Sequence, residues 1–307
     1  MQIVAIKSLL LWIWNQLWNF PDYYYLLFDS IYRRVTPIPE VVGVRESIQH
    51  MLHTKCSVCR YGDGEMKFIL GSETWFQKKS PLLRKRLTEI LSSDEDNVMI
   101  CIPNKFGVSK VYTDFENKHW KKNISHTRRT WYKYLNRKKI YYDAFISRCY
   151  MPYKDKTLAK EYFGLWKQIW DGRDLLIIEG EKTRLGVGNT LFDNVKSIRR
   201  ILCPNTNAFD YYEQVISRVK DETVDKLILI AIGPTATVMA FDLAQLGYQA
   251  IDIGHLDIEY EWFLMKAQTK VPVNNKFVNE AGAGKGVGDN NDKKYLAEII
   301  CNIAQDK

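Results

Sequence analysis

No run of about 20 apolar residues occurs in this chain, so no membrane-spanning helix is expected. No internal repeat is visible, which removes solenoids and propellers. Cys56 and Cys59 have zinc-knuckle spacing, but no second Cys or His pair follows at a suitable distance, so a zinc finger is not expected. Cys101, Cys149, Cys203 and Cys301 lie mostly in apolar runs, as reduced thiols do in a cytoplasmic protein. No export signal is evident, so the glycosylation-type triplet Asn123-Ile124-Ser125 carries no weight. Two phosphate-binding fingerprints are missing as well. Gly62-Asp63-Gly64 has Lys67 where a dinucleotide loop needs its third glycine. Gly282 to Gly288 has Gly286 where a P-loop needs Ser or Thr, and Asn279 in place of its first glycine, so a flexible loop with Lys285 is expected there.

What is present is enough chain for one large domain or two smaller ones: 307 residues with a net charge of +8. Excess positive charge favours an anionic partner, whether nucleic acid, an anionic membrane face or a phosphorylated small molecule. At the N-terminus, Ser8 to Trp14 is apolar but too short to span, because Asn15, Gln16, Asn19, Pro21 and Asp22 interrupt it. As a helix it would place Ile6, Leu9, Leu10, Ile13 and Leu17 on one face, with Trp12, Trp14 and Trp18 near its borders. Aromatic residues follow through Phe28, then Arg33 and Arg34. Residues 1–38 therefore read as an amphipathic, aromatic helical extension suited to packing on the body or to peripheral membrane contact.

From residue 39 to 307 short apolar runs alternate with helical patterns, which predicts an α/β domain on a largely parallel sheet flanked by helices. Strands are expected at Cys56–Arg60, Val98–Ile102, Ala144–Ser147, Leu175–Ile178, Arg200–Cys203, Leu227–Ile232 and Ala250–Ile253. Helices are expected at Leu82–Leu91, Thr127–Asn136, Thr157–Trp170, Thr190–Ser197, Ala208–Val219, Ala236–Leu246 and Lys293–Ala304. The basic and aromatic segment Lys118–Lys139 can be imagined against nucleic acid, but a helix with a wet basic face and inward aromatics accounts for it better, and no nucleic-acid partner is expected.

Four loops could carry chemistry. Arg60-Tyr61-Gly62-Asp63-Gly64-Glu65 places two carboxylates between glycines directly after an apolar strand. Acids there would repel a phosphate unless a divalent cation lay between, which suggests carboxylate, metal and diphosphate in series, or else a plain solvated turn. Glu179 to Asn189 offers the cations Lys182 and Arg184, backbone freedom at Gly186 and Gly188, and Asn189 as a helix cap. Gly233-Pro234-Thr235-Ala236-Thr237 enters a helix from the strongly apolar strand Leu227–Ile232, where open amides and the hydroxyls of Thr235 and Thr237 suit an anion or ribose, or else only cap the helix. In Asp252 to Trp262, extended backbone would align His255, Asp257 and Glu259 on one face as a base, a metal ligand or sugar contacts.

Taken together, these blocks, with Phe192-Asp193-Asn194, resemble the bacterial glycosyltransferases of the GT-D type, over about residues 40 to 280. The resemblance implies a single Rossmann-like domain and a nucleotide-sugar donor such as UDP-glucose or UDP-galactose. It also implies a divalent metal, Mn2+ or Mg2+, held by an Asp-x-Glu motif that falls on Asp63 and Glu65. It further implies a cytoplasmic enzyme acting on a saccharide acceptor, lipid- or protein-borne, in surface polysaccharide or glycan assembly. Arg60, Gly62, Lys182, Arg184, Gly186, Gly188, Asn189, Gly233, Pro234, Thr235 and Thr237 would then surround the donor and, if the enzyme inverts, Asp257 or Glu259, with His255 third, would be the base. A metal-dependent hydrolase and a non-enzymatic basic adaptor are the alternatives.

Overall fold

Parallel strands buried on both faces read as unbroken apolar runs, and here they do. The computed structural model describes residues 20–305 apart from 108 and 283. Among these residues nine strands form one sheet in the order β1-β4-β3-β2-β8-β7-β5-β6-β9, every neighbouring pair parallel. They are β1 (Val41–Val42), β2 (Ser57–Arg60), β3 (Val98–Ile102), β4 (Tyr141–Asp143), β5 (Asp174–Gly180), β6 (Ser197–Cys203), β7 (Leu227–Ala231), β8 (Gln249–Asp252) and β9 (Ile299–Asn302). All of β3 is buried, as are the apolar residues of β5 and Leu227 to Ile230 of β7. The six cysteines are buried thiols, which gives Cys56 and Cys59 a packing role in β2 and the residue before it.

Among the described residues ten α-helices flank the sheet: α1 (Phe20–Val35), α2 (Val44–Thr54), α3 (Asp63–Ile69), α4 (Pro81–Ser92), α5 (Asp114–Tyr134), α6 (Leu158–Ile169), α7 (Tyr212–Val219), α8 (Pro234–Gln245), α9 (Leu256–Leu264) and α10 (Lys293–Glu298). Pro81 and Pro234 stand in the first turns of α4 and α8, where no N–H is missed. From β2 the chain proceeds to β3 on one side, while β8, β7 and β5 lie on the other. Loops after β2 and β8 thus meet over adjacent carboxyl ends, the place where open α/β sheets bind ligands.

Several expected elements differ. Ala144–Ser147 is not a strand. Asp143 ends β4 and its Oδ1 accepts from Phe145 N at 2.9 Å, which curls the chain into a 3-10 turn. Thr190–Ser197 forms turns, because Asn189 Oδ1 accepts from Leu191 N at 2.9 Å and Ser197 already starts β6. The C-terminal helix stops at Glu298, and the β-branched pair Ile299-Ile300 opens β9 beside β6. The helix expected at Thr127–Asn136 is the second half of α5, which Thr113 caps by accepting from Glu116 N at 3.3 Å. Its Trp120, Trp131 and Tyr132 are buried while Lys118, Arg129 and Lys133 are exposed, the inward-aromatic arrangement expected. No described helix is long and apolar enough to cross a membrane. Residues 1–19, with the face at Ile6 to Leu17, lie outside the described residues.

Candidate active site

A cavity of about 520 Å³ opens at the carboxyl edge of the sheet. The β2–α3 loop contributes Arg60, Gly62, Asp63 and Glu65, the β7–α8 loop Gly233 and Pro234, and the β8–α9 loop Asp252 and His255. Asp63 and Glu65 sit in the first turn of α3, where the helix dipole favours negative charge. The Glu65 carboxylate accepts from Gly62 N at 2.7 Å and so closes the turn it belongs to. Burial and the nearby Asp252 push its pKa up to about 7. Asp63 is free of such duties: its side chain is 44% exposed, and His119 Nε2 on α5 lies 3.8 Å away.

Behind these acids, Arg60 bridges to β8. Its Nε donates to Asp252 O at 2.9 Å and its Nη2 to Asp252 Oδ1 at 3.1 Å. The Thr237 hydroxyl lies 2.9 Å from Arg60 O and 3.1 Å from Asp252 Oδ2, so it donates to one at a time and fastens α8 to both strands. Gly254 makes this possible. A Cβ there would stand 1.9 Å from Arg60 Nη2, at a φ of +52°. Gly254→Ala is therefore expected to expel the Arg60 guanidinium and to cost about 1–2 kcal/mol in the left-handed backbone. Urea unfolding checks this, and an unchanged stability would contradict the packing.

The loop before α9 does not continue as a strand. Helix α9 begins at Leu256, so His255, Asp257 and Glu259 do not share a face as extended backbone would have made them. Asp257 accepts from Gly186 N at 2.9 Å and Asn189 Nδ2 at 2.7 Å, and pairs with buried Lys276 at 2.7 Å. With both oxygens engaged it is a poor proton acceptor, and it holds the β5–β6 loop instead. His255 Nδ1 lies 3.2 Å from Arg148 Nη2, and burial together with that cation lowers its pKa to about 3, so it stays neutral. Glu259 is the one that remains available. Its Oε2 accepts from Tyr150 N at 2.9 Å and Met151 N at 2.7 Å, while Oε1 has no hydrogen-bond partner among the described residues and lies 3.6 Å from Arg148 Nη1. Burial pushes Glu259 up and Arg148 pulls it back.

The second loop departs furthest from expectation. Arg184 is buried and donates to Asn275 O at 2.8 Å and to Gly288 O, so it straps down the 275–288 segment and leaves the cavity without it. Lys182 is exposed, and its carbonyl accepts from Phe277 N at 2.8 Å. Gly186 packs against Phe192, whose Cδ2 a Cβ would meet at 2.3 Å, at a φ of +74°. Gly188 and Asn189 are likewise away from the cavity wall, as are Thr235 and Thr237, both fully buried inside α8. Thr183 and Leu185 line it instead.

Sequence reasoning missed the basic half of the cavity. Arg148 clamps Glu280 through two bonds, 2.8 and 2.9 Å, and Lys270 lies 3.2 Å from the same carboxylate. Arg148 follows the 3-10 turn mistaken for a strand, and Glu280 stands two residues before the glycine-rich segment set aside as a loop. Asp252 closed its strand and carried no separate signal.

Among the described residues no group of three or more His, Cys, Asp and Glu forms a ready cation cage. Asp63 and Glu65 still fit Mg2+ or Mn2+ in the mode these ions use with nucleotides, one or two carboxylates completed by water and substrate phosphate. A parallel sheet with acids and arginines gathered over its switch point defines a Rossmann-like α/β protein.

The glycosyltransferase GT-D fold family matches residues 58–281. The chain is 39% identical to the probable glycosyl transferase Gly of Streptococcus gordonii over 87% of its own length, and 33% identical to glycosyltransferase GlyD of Streptococcus pneumoniae serotype 4 over 91%. It spans only 39% and 34% of those two proteins. Among solved structures, a new glycosyltransferase (DUF1792) from Streptococcus sanguinis superposes with a TM-score of 0.83 at 37% identity, covering 86% of this chain and 99% of the other. The DUF1792 domain described as having a distinct glycosyltransferase fold gives 0.84 at 34% identity, covering 92% and 99%. The chain belongs to the GT-D fold glycosyltransferase family.

Proposed function

We propose that this protein transfers a hexosyl group, glucose or galactose, from a UDP-sugar to a hydroxyl of a lipid- or protein-borne saccharide, in the cytoplasm and in assembly of a surface polysaccharide or glycan. The observation that carries the reading is the pairing, in one cavity at the switch point, of the exposed Asp63 and the Glu65 carboxyl with the Arg148 guanidinium. Asp63 and Glu65 would hold Mg2+ or Mn2+, which when bound supplies positive charge to a diphosphate leaving group.

In that reaction the bond from the sugar C1 to the diphosphate oxygen breaks, its electron pair leaving with UDP, and a bond from the acceptor oxygen to C1 forms. The acceptor proton passes to a carboxylate, for which Glu259 Oε1 is the best-placed group, and Arg148 orients it. Gly233 and Pro234 present the positive end of α8 to the cavity, where it favours phosphate. Neutral His255 can donate to a sugar hydroxyl through Nε2 while Nδ1 faces Arg148. Dialysis against a chelator is expected to abolish UDP-sugar turnover, and Mn2+ to restore it. Turnover that survives chelation would remove the metal from the reading.

A further inference from the structure

Helix α1 holds α5 with one face and leaves a more apolar one to solvent. On the inner side Asp29 pairs with buried Arg128, the Tyr32 ring meets Tyr132 at 5.9 Å, and Tyr25 lies 4.1 Å from His126, centroid to centroid. On the outer side Tyr24, Leu27, Phe28, Ile31 and Val35 follow the spacing i, i+3, i+4, i+7, i+11, a single helical stripe. Leu27 is 61%, Ile31 55% and Val35 77% exposed. A stripe of this kind contributes nothing to the attachment of α1. In the sequence, Ile6, Leu9, Leu10, Ile13 and Leu17 fall in the same 3.6-residue phase.

Charge decides what the stripe fits. Among the described side chains of α1 the one acid, Asp29, is consumed by Arg128. Exposed Arg33 and Arg34 stand in its last turn, and exposed Arg129, 5.9 Å from the Tyr32 ring, stands beside it on α5. Apolar and aromatic residues bordered by cations, with no unpaired acid among the described side chains of α1, match the interface of an anionic bilayer. A second copy of the chain would bring the same cations against one another.

We propose that α1 lays its outer stripe on an anionic lipid surface and holds the enzyme there. The helix that carries α1 also walls the cavity: His119 and Trp120 line it, and Arg128, which grips Asp29, is nine residues further along α5, roughly 14 Å by helical rise. A docked α1 thus sets the cavity close to the headgroups. Resting on the glycosyltransferase reading, this makes the acceptor a saccharide on a membrane-embedded lipid carrier.

The test is co-sedimentation of the full chain with vesicles of phosphatidylcholine alone and of phosphatidylcholine mixed with phosphatidylglycerol. Wild type is expected to sediment with the mixed vesicles only. L27E/F28E/I31E is expected to lower the partition coefficient about tenfold or more, and R33E/R34E to weaken it and flatten its salt dependence. Far-ultraviolet circular dichroism keeps misfolding apart from lost binding. Equal sedimentation of wild type and the triple variant would overturn the proposal, as would equal binding to neutral vesicles. So would a wild-type dimer that the triple variant splits without any lipid binding, since the stripe would then join two copies. Sedimentation needs no turnover, so an inactive enzyme that binds lipid overturns the acceptor assignment alone.

Discussion

On the proposed UDP-sugar reaction, Asp63→Ala is expected to lower kcat/KM by roughly 10²- to 10³-fold, the scale of losing one group that stabilises charge at a leaving group, and to cost less than about 1 kcal/mol of stability, the share of one acid at a helix start. Both halves follow from the same geometry. Asp63 lines the cavity with a side chain 44% exposed, and its closest ionic neighbour, His119, is 3.8 Å away, beyond hydrogen-bonding distance. What it gives the fold is a favourable charge at the start of α3, worth less than about 1 kcal/mol. Glu65→Ala behaves differently, because Glu65 also accepts from Gly62 N at 2.7 Å. That variant loses turnover and about 1 kcal/mol of stability together. Steady-state kinetics beside urea unfolding separates the two. Wild-type kcat/KM in Asp63→Ala would deny the acid any part in the chemistry, and a large stability loss there would give it a structural role instead.

Arg200→Ala destabilises the protein by about 3–5 kcal/mol, because it strands a buried charge. Arg200 is itself 2% exposed and bonds Glu179 Oε1 at 2.6 Å and Glu298 Oε2 at 2.7 Å, with the Tyr295 ring 5.0 Å from its guanidinium carbon. Glu179 is fully buried at the end of β5, and its other oxygen accepts from Leu185 N at 2.6 Å. Removing the arginine leaves Glu179 without its cation and loosens both α10 and the loop that walls the cavity. Burial raises the Glu179 pKa already, with Arg200 as the main counterweight. Unmatched, Glu179 takes up a proton, so the deficit is larger at pH 8 than at pH 5: a group whose folded pKa is raised costs stability as pH climbs past its unfolded value. A loss under 1 kcal/mol, or one independent of pH, would contradict this account.

Burial decided how much of the fold was legible. Val98–Ile102 reads as a strand and is one, because a strand covered on both faces has to be apolar throughout. Where α5 begins was unreadable, although its stretch from Lys118 onward already read as a helix with a wet basic face. Lys118, His119, Lys121 and Lys122 dilute its periodicity, and its start rests on the single cap at Thr113. His255 to Glu259 alternates polar and apolar residues, and that two-residue period suits a strand as well as it suits the first turn of a helix buried on several sides. The acidic loop was legible because two carboxylates in a glycine turn are chemically odd. The basic wall was not. Arg148 and Glu280 stand 132 residues apart and meet through folding alone. Arg184, a paired cation in a glycine loop, had the look of a phosphate clamp, yet backbone carbonyls of the 275–288 segment claim it.

Mass spectrometry of an oligosaccharide acceptor panel, incubated with UDP-glucose and UDP-galactose in the presence of Mn2+, tests the central claim most directly. The account predicts an acceptor heavier by one hexose, formed with release of UDP and absent from the Asp63→Ala reaction. Free hexose released at the same rate with or without acceptor would make the protein a hydrolase and contradict it.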